Sequence, residues 1–214
     1  SEVIVHLMAH SQCNLFVDRA VAAFSQVKGA YSIVLMSENE LIAARDPQGF
    51  RPLCLGKLEG AYIVASESCV MDLVEAEFIR EIEPGELILI NQSGVESFFP
   101  FPKTPTKQCV FEHIYFSRPD SNLFGRSVYS VRMLMGRSLA IEKPVEADVV
   151  VPVPDSGVIS AMGYSEEAGI PFQMGLIRNH YVGRTFIEPQ SQIRDFGVKI
   201  KLNAVKPVIE GKRV

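Results

Sequence analysis

Residues 98–108, FFPFPKTPTKQ, carry prolines at 100, 102 and 105 and show no apolar periodicity. Proline fixes φ and removes a backbone donor, so neither a helix nor an internal strand can run through such a stretch. It reads as a stiff surface connection over 101–108, separating a segment 1–100 from a segment 109–214. Whatever forms must be built from two pieces, each long enough to have a core of its own.

The two pieces are patterned differently. In the first, YSIVLM, LIAARD, LCLGKL and AYIVASES follow one another between residues 31 and 68, separated by polar or glycine-bearing turns, which predicts an antiparallel meander. Residues 12–27 place Leu15 and Ala22, then Phe16, Ala23 and Val27, on a helical stripe, and 70–79 can form a second short helix. EIEPGELILI supplies a Pro-Gly turn and a buried strand. This is an α+β pattern, strands packed under helices. The second piece reads as strand CVFEHIYFS, helix around 127–142, strand DVVVPV, helix 157–169, strand around 172–178, then a polar loop. Strands alternating with helices predict an α/β unit with a parallel sheet and right-handed crossovers.

With a formal charge of -4 and a pI near 5.6, the chain is unsuited to coat nucleic acid or an anionic membrane. An anionic ligand must therefore be met locally. Residues 1–100 carry about eight acids in excess and 176–214 about five bases in excess, so the two ends are expected to do different jobs. No apolar run reaches the ~18 residues of a membrane span and SEVIVHLMAH lacks a signal-like start, so a cytoplasmic or organelle-stromal location is expected. Cys13, Cys54, Cys69 and Cys109 are scattered without a CxxC pair, which favours free thiols. There is no initiating Met, and VIEGKRV leads into a new apolar strand, so an internal piece of a longer protein is expected.

Two stretches carry chemistry. In VVPVPDSGVISAMGY, residues 150–164, a strand runs into Asp155, Ser156 and Gly157 and at once into a helix. A phosphate fits at such a helix entrance, with Gly157 leaving room for the backbone and Asp155 or Ser156 available to a metal that bridges phosphates. A plain helix cap explains the same residues. In RNHYVGRTFIEP, residues 178–189, Arg178, His180, Arg184 and Thr185 surround Gly183. Such a basic loop can fold over a phosphorylated substrate and exclude water, or can simply be solvated. His6 and His10 lie four apart on a helix face with no third ligand nearby, Arg45 and Asp46 can fix a tight turn, and Ser1 offers no nucleophile reading.

With CVFEHIYFSRPDSNLFGRSVY, VEADVVVPVPDSGV, GLIRNHYVGRTFIEP, IRDFGVKIKLNAV, ARDPQGFRPL, ASESC and IEPGE in hand, the chain resembles the glutamine phosphoribosylpyrophosphate amidotransferases along its whole length. The resemblance implies the later part of an N-terminal-nucleophile glutaminase domain, layered αββα, in 1–100, and the earlier part of a type I phosphoribosyltransferase domain, a parallel sheet flanked by helices, in 109–214. It implies glutamine and phosphoribosylpyrophosphate as substrates, ammonia passing between the two sites, and a homo-oligomer that binds neither nucleic acid nor membrane. PDSG resembles the family's pyrophosphate loop, with Asp155, Ser156 and Gly157 binding substrate and Ser156 near Mg²⁺. YVGRTFI resembles the loop that closes on it, with Tyr181 and Arg184 acting in closure and charge stabilisation and Gly183 and Thr185 binding substrate.

Cys109 matches one ligand of the [4Fe–4S] cluster found in one branch, or is an ordinary buried thiol. Arg118 and Asp120 are candidates for an interface between the halves, and Glu112 and Tyr115 for the channel. The nucleophilic Cys and the paired-Asp motif of the family are expected outside these 214 residues, leaving the chain inactive alone. A purine-nucleotide sensor without turnover is the alternative.

Overall fold

The computed structural model describes residues 2–183 and 191–214. Two compact units divide after Ser127.

The first unit opens with α1 (Glu2–His10) and α2 (Phe16–Phe24), followed by β1 (Ser32–Met36) and β2 (Leu41–Arg45), then β3 (Cys54–Leu58), β4 (Ala61–Ala65), α3 (Cys69–Leu73), β5 (Glu77–Glu81), β6 (Leu87–Asn91) and β7 (Gly94–Phe98). The strands form two antiparallel sheets, ordered β1-β2-β6-β7 and β4-β3-β5. The expected single meander is therefore two hairpins in different sheets, and the helix expected over 70–79 stops at Leu73 so that β5 can pair with β3.

Period-two alternation builds the layers. Ile42, Ala44, Leu87 and Leu89 face α1 and α2, burying Ile4, Met8, Ala20, Ala23 and Phe24, while Ala43 and Ile88 face the second sheet through Leu53, Leu55 and Ile82. A Cβ at Gly56 would lie 2.3 Å from Met71 Sδ, so α3 rests directly on the outer face of that second sheet. The result is the αββα layering that the sequence resemblance implies.

Residues 101–127 belong with this unit by packing, beyond the boundary that the prolines suggest. The proline stretch runs along the turn after β2, with Thr104 Oγ1 donating to Pro47 O at 2.9 Å, Lys107 N to Gln48 O at 2.8 Å and Cys109 N to Phe50 O at 3.0 Å. CVFEHIYFS is not a strand. Glu112–Phe116 form a π-helical turn, closed by Ser117 N donating to Glu112 O at 3.1 Å. A small hairpin follows, β8 (Asn122–Leu123) and β9 (Arg126–Ser127), turning through Phe124 and Gly125 at φ 53° and 72°.

The second unit consists of α4 (Val128–Glu142), α5 (Val158–Ala168), β10 (Leu176–Arg178), α6 (Ser191–Lys201), β11 (Leu202–Ala204) and α7 (Lys206–Ile209). Parallel pairing is confined, among the described residues, to one bridge between Val150 and Phe172, which spans the α5 crossover; β10 and β11 pair antiparallel. Two glycines let α4 and α5 touch backbone to backbone. A Cβ at Gly136 would meet Ser160 O at 1.9 Å, and one at Gly163 would meet Met133 O at 2.1 Å.

Candidate functional site

Each unit contains one chemistry-bearing concavity or corner. In the first, a cavity of about 460 Å³ is lined by Tyr31, Ser32, Arg51, Ser66, Glu67 and Glu112, with Phe116 at its edge. Its walls come from the turn after β2 and the π-helical turn. Asp46 fastens the former, its carboxylate accepting from Gln48 N and Phe50 N, both at 3.0 Å, while Arg45 donates through Nε to Arg51 O at 2.8 Å and through Nη2 to Gly49 O at 3.0 Å. Arg45 and Asp46 thus do the structural turn chemistry expected of them, though each bonds backbone and the carboxylate that pairs with Arg45 is Glu81, at 3.8 Å. Burial lowers the pKa of the Arg45 guanidinium, with Glu81, Asp46 and Glu86 opposing that shift.

Arg51 joins the two walls. Its Nη1 pairs with Glu112 Oε1, and its guanidinium lies 4.5 Å from the Phe116 ring centroid. Glu112 Oε2 also accepts from Ser117 Oγ at 2.7 Å. Glu67 Oε2 accepts from Arg118 N at 2.8 Å and Ser121 Oγ at 2.7 Å, docking the segment after the π-turn. Arg118 and Asp120 form an exposed pair with each other at 2.7 Å, and Tyr115 is exposed. Arg51 and Glu67 carried no signal beyond their place in ARDPQGFRPL and ASESC, and sequence reasoning passed over both. His6 pairs with Glu2 at 3.7 Å on an exposed helix face.

In the second unit the PDSG turn lies where the sequence puts it, at the start of α5. Gly157 is required there, because a Cβ would come within 2.7 Å of Val153 O. Its own N–H donates to that oxygen at 3.1 Å, and Val158 N donates to Asp155 O at 3.3 Å. The Pro154–Asp155 peptide is cis. The Asp155 carboxylate is engaged by Arg178 Nη1 from the end of β10, which brings the two sequence-predicted stretches together at one point. Arg178 Nε is buried with no acceptor among the described residues. Beyond β10, Tyr181 is fully exposed, its N–H donating to Asn179 Oδ1 at 3.0 Å, and the space around a Cβ at Gly183 is open. Arg184 and Thr185 lie outside the described residues.

Among the described residues, no three His, Cys, Asp or Glu side chains come together as a metal site. Cys109 is a half-buried free thiol, and Cys13, Cys54 and Cys69 are free as well. The four cysteines do not converge, and Ser156 adjoins Asp155, whose carboxylate is paired with Arg178.

The first unit sandwiches two antiparallel sheets between helices, and its residues 1–72 match the family described as glutamine amidotransferase domain. Over its whole length the chain is a relative of the amidophosphoribosyltransferases. It is 55% identical over 215 residues to the chloroplastic amidophosphoribosyltransferase 1 of Arabidopsis thaliana, covering all of this chain and 38% of that one. It is 49% identical over 214 residues to the amidophosphoribosyltransferase of Bacillus subtilis, covering 45% of it. The solved structure of the Bacillus subtilis glutamine phosphoribosylpyrophosphate amidotransferase in complex with ADP and GMP superimposes with a TM-score of 0.91 at 49% identity, covering all of this chain and 47% of that one. The chain therefore spans less than half the length of the relatives it matches. No helix among the described residues is long and apolar enough to cross a membrane.

Proposed function

We propose that this chain is part of an amidophosphoribosyltransferase of purine biosynthesis. In that reaction glutamine is hydrolysed to glutamate, and the released ammonia displaces pyrophosphate from carbon 1 of phosphoribosylpyrophosphate to give 5-phosphoribosylamine. The observation that carries the reading is identity of about half the residues along the whole chain, through both units, to proteins of that name. A sensor without turnover would have no use for a glutamine amidotransferase domain, so the match of residues 1–72 favours the enzyme.

Within this reading, the Asp155–Gly157 turn meets the diphosphate of the substrate. Gly157 adds no side chain to the corner, and the N-terminal end of α5, which no side chain caps, favours anionic oxygens. Tyr181, Gly183, Arg184 and Thr185 close over the bound diphosphate, Arg184 offsetting the charge that builds as the bond to carbon 1 breaks. The Ser156 hydroxyl would help to hold Mg²⁺, which would supply charge neutralisation to the leaving pyrophosphate. Cys109 supplies one thiolate to a [4Fe–4S] cluster whose other ligands lie outside these residues. The protein works as a homo-oligomer in the cytoplasm, or in the plastid stroma, on small molecules rather than nucleic acid or membrane.

The test uses the whole enzyme. Phosphoribosylpyrophosphate with Mg²⁺ should protect residues 179–187 from proteolysis, and Arg184→Ala should lower kcat at least about 100-fold with a smaller change in KM, the pattern of a transition-state contact. Cleavage unchanged by saturating substrate counts against the closing loop. An Arg184→Ala enzyme with normal kcat counts against the assigned role.

A further inference from the structure

Asp155 is an awkward residue for a diphosphate site. A carboxylate beside a polyanion repels it, and in this chain that carboxylate is paired with Arg178. The Arg178 side chain is 31% exposed and that of Asp155 56%, so water and solutes reach the pair. The turn itself has little room to adjust, because Gly157 is packed against Val153 O. The parts that can move are the two side chains. Arg178 has one N–H group spent on Asp155 and another, Nε–H, with no acceptor among the described residues. A guanidinium in that state gains more from a multidentate anion than from a single carboxylate oxygen. Arg178 is also the last residue of β10, and the chain beyond it leads at once to Tyr181 and Gly183.

We propose that Asp155 and Arg178 form an electrostatic latch. Without ligand, Asp155 holds Arg178 and so pins the start of the 179–183 segment to the turn. A diphosphate arriving at the turn takes Arg178 from Asp155, and the strand end is released to follow the ligand. The Asp155 side chain thus competes with the ligand that the backbone of the turn meets, and Arg178 is an anion-binding residue whose availability Asp155 regulates. The proposal rests on the reading of the turn as a diphosphate site.

Two measurements on the intact enzyme that contains this chain test it. In the first, inorganic pyrophosphate is titrated calorimetrically in metal-free buffer at fixed ionic strength. Exposed ion pairs hold their partners by factors of roughly 1.5–5, and Asp155→Asn also removes a repelling charge, so that variant should bind about 3–10-fold more tightly than wild type. Arg178→Gln should bind at least about 5-fold more weakly, and Asp155→Asn should gain less in that background than in wild type, because only the repelling charge is then removed and the latch has nothing left to hold. In the second, chymotrypsin cleavage at Tyr181 without ligand should run about 2–5-fold faster in both single variants.

If wild type binds pyrophosphate and Asp155→Asn binds equally or more weakly, the latch is wrong while the diphosphate site stands. If neither chain binds, the diphosphate reading itself is lost and the latch with it. Cleavage at Tyr181 that ignores Asp155→Asn also overturns the latch, whatever the titration shows.

Discussion

Tyr31 stacks on Phe24 with ring centroids 4.8 Å apart, and its hydroxyl is buried without a partner among the described residues. Burial, and then the charge of Asp46, push its phenol up to about 12. Because the folded value lies above the unfolded one near 10, the stability this group contributes is whole below pH 10 and is lost as pH rises from 10 towards 12, in total roughly 3 kcal/mol. Tyr31→Phe should remove that alkaline loss and, by deleting an unpaired hydroxyl, leave stability at pH 7 unchanged or up to about 1 kcal/mol higher. Urea unfolding at pH 7.5 and 10.5, with phenolate absorbance to follow the late-titrating tyrosine, reads both effects; a wild-type chain as stable at 10.5 as at 7.5 contradicts the assignment. At this scale the sequence reveals some requirements and hides others. Gly157 is legible, because a strand-to-helix corner has room for little else. The pairing of Asp155 with Arg178 is not, since 23 positions separate them and only the fold sets them side by side.

Among the elements of the first unit, β5, β6 and β7 are stapled by one carboxylate. Glu86 is buried just before β6 and accepts from Arg80 Nη1 and Nη2 at 2.8 and 2.6 Å, from Glu83 N at 2.6 Å and from Ser97 Oγ at 2.7 Å. Burial alone would raise its pKa, but the hydrogen bonds from Arg80, Glu83 and Ser97 outweigh it and the carboxyl sits below its usual range. A depressed folded pKa gives stability that is present above the unfolded value near 4.3 and lost as pH falls through the folded one. Arg80 is partly open to water, so Glu86→Gln should cost about 2–3 kcal/mol at pH 7 rather than the larger figure for a fully enclosed pair. The gap between variant and wild type should narrow below pH 4, as denaturant midpoints across pH 3–7 would record; a constant gap argues against an ionised Glu86. The staple was invisible in IEPGELILI, where the eye goes to the Pro-Gly turn. FEHIYF misled for a physical reason too. Its aromatic and β-branched residues suit a strand, but Glu112 is fixed by Arg51 and Ser117, and an i→i+5 bond closes over it instead.

At the scale of the whole molecule, charge and packing divide at the same place. Residues 1–127 carry 16 acids against 10 bases, and residues 128–214 carry 9 against 11, so the unit holding the proposed diphosphate turn is the one whose balance suits an anion. Each unit also has its own interior: two apolar layers around the sheets in the first, and the α4–α5 crossing in the second. That crossing tolerates no added atom. At Gly163 a methyl group would lie 2.1 Å from Met133 O, and a helix backbone cannot swing aside as a side chain can, so the helices must separate. Gly163→Ala gains helix propensity worth only about 1 kcal/mol and should still destabilise the second unit by about 2–3 kcal/mol. Hydrogen exchange resolves where the loss falls. Amides of α4 and α5 should exchange some 30–100-fold faster, while those of Ile42, Ala43 and Ile88, held by the first unit's own layers, should keep their wild-type protection. If protection at Ile42 and Ile88 falls in step with α5, the two interiors unfold as one, and the αββα layers do not stand on their own packing.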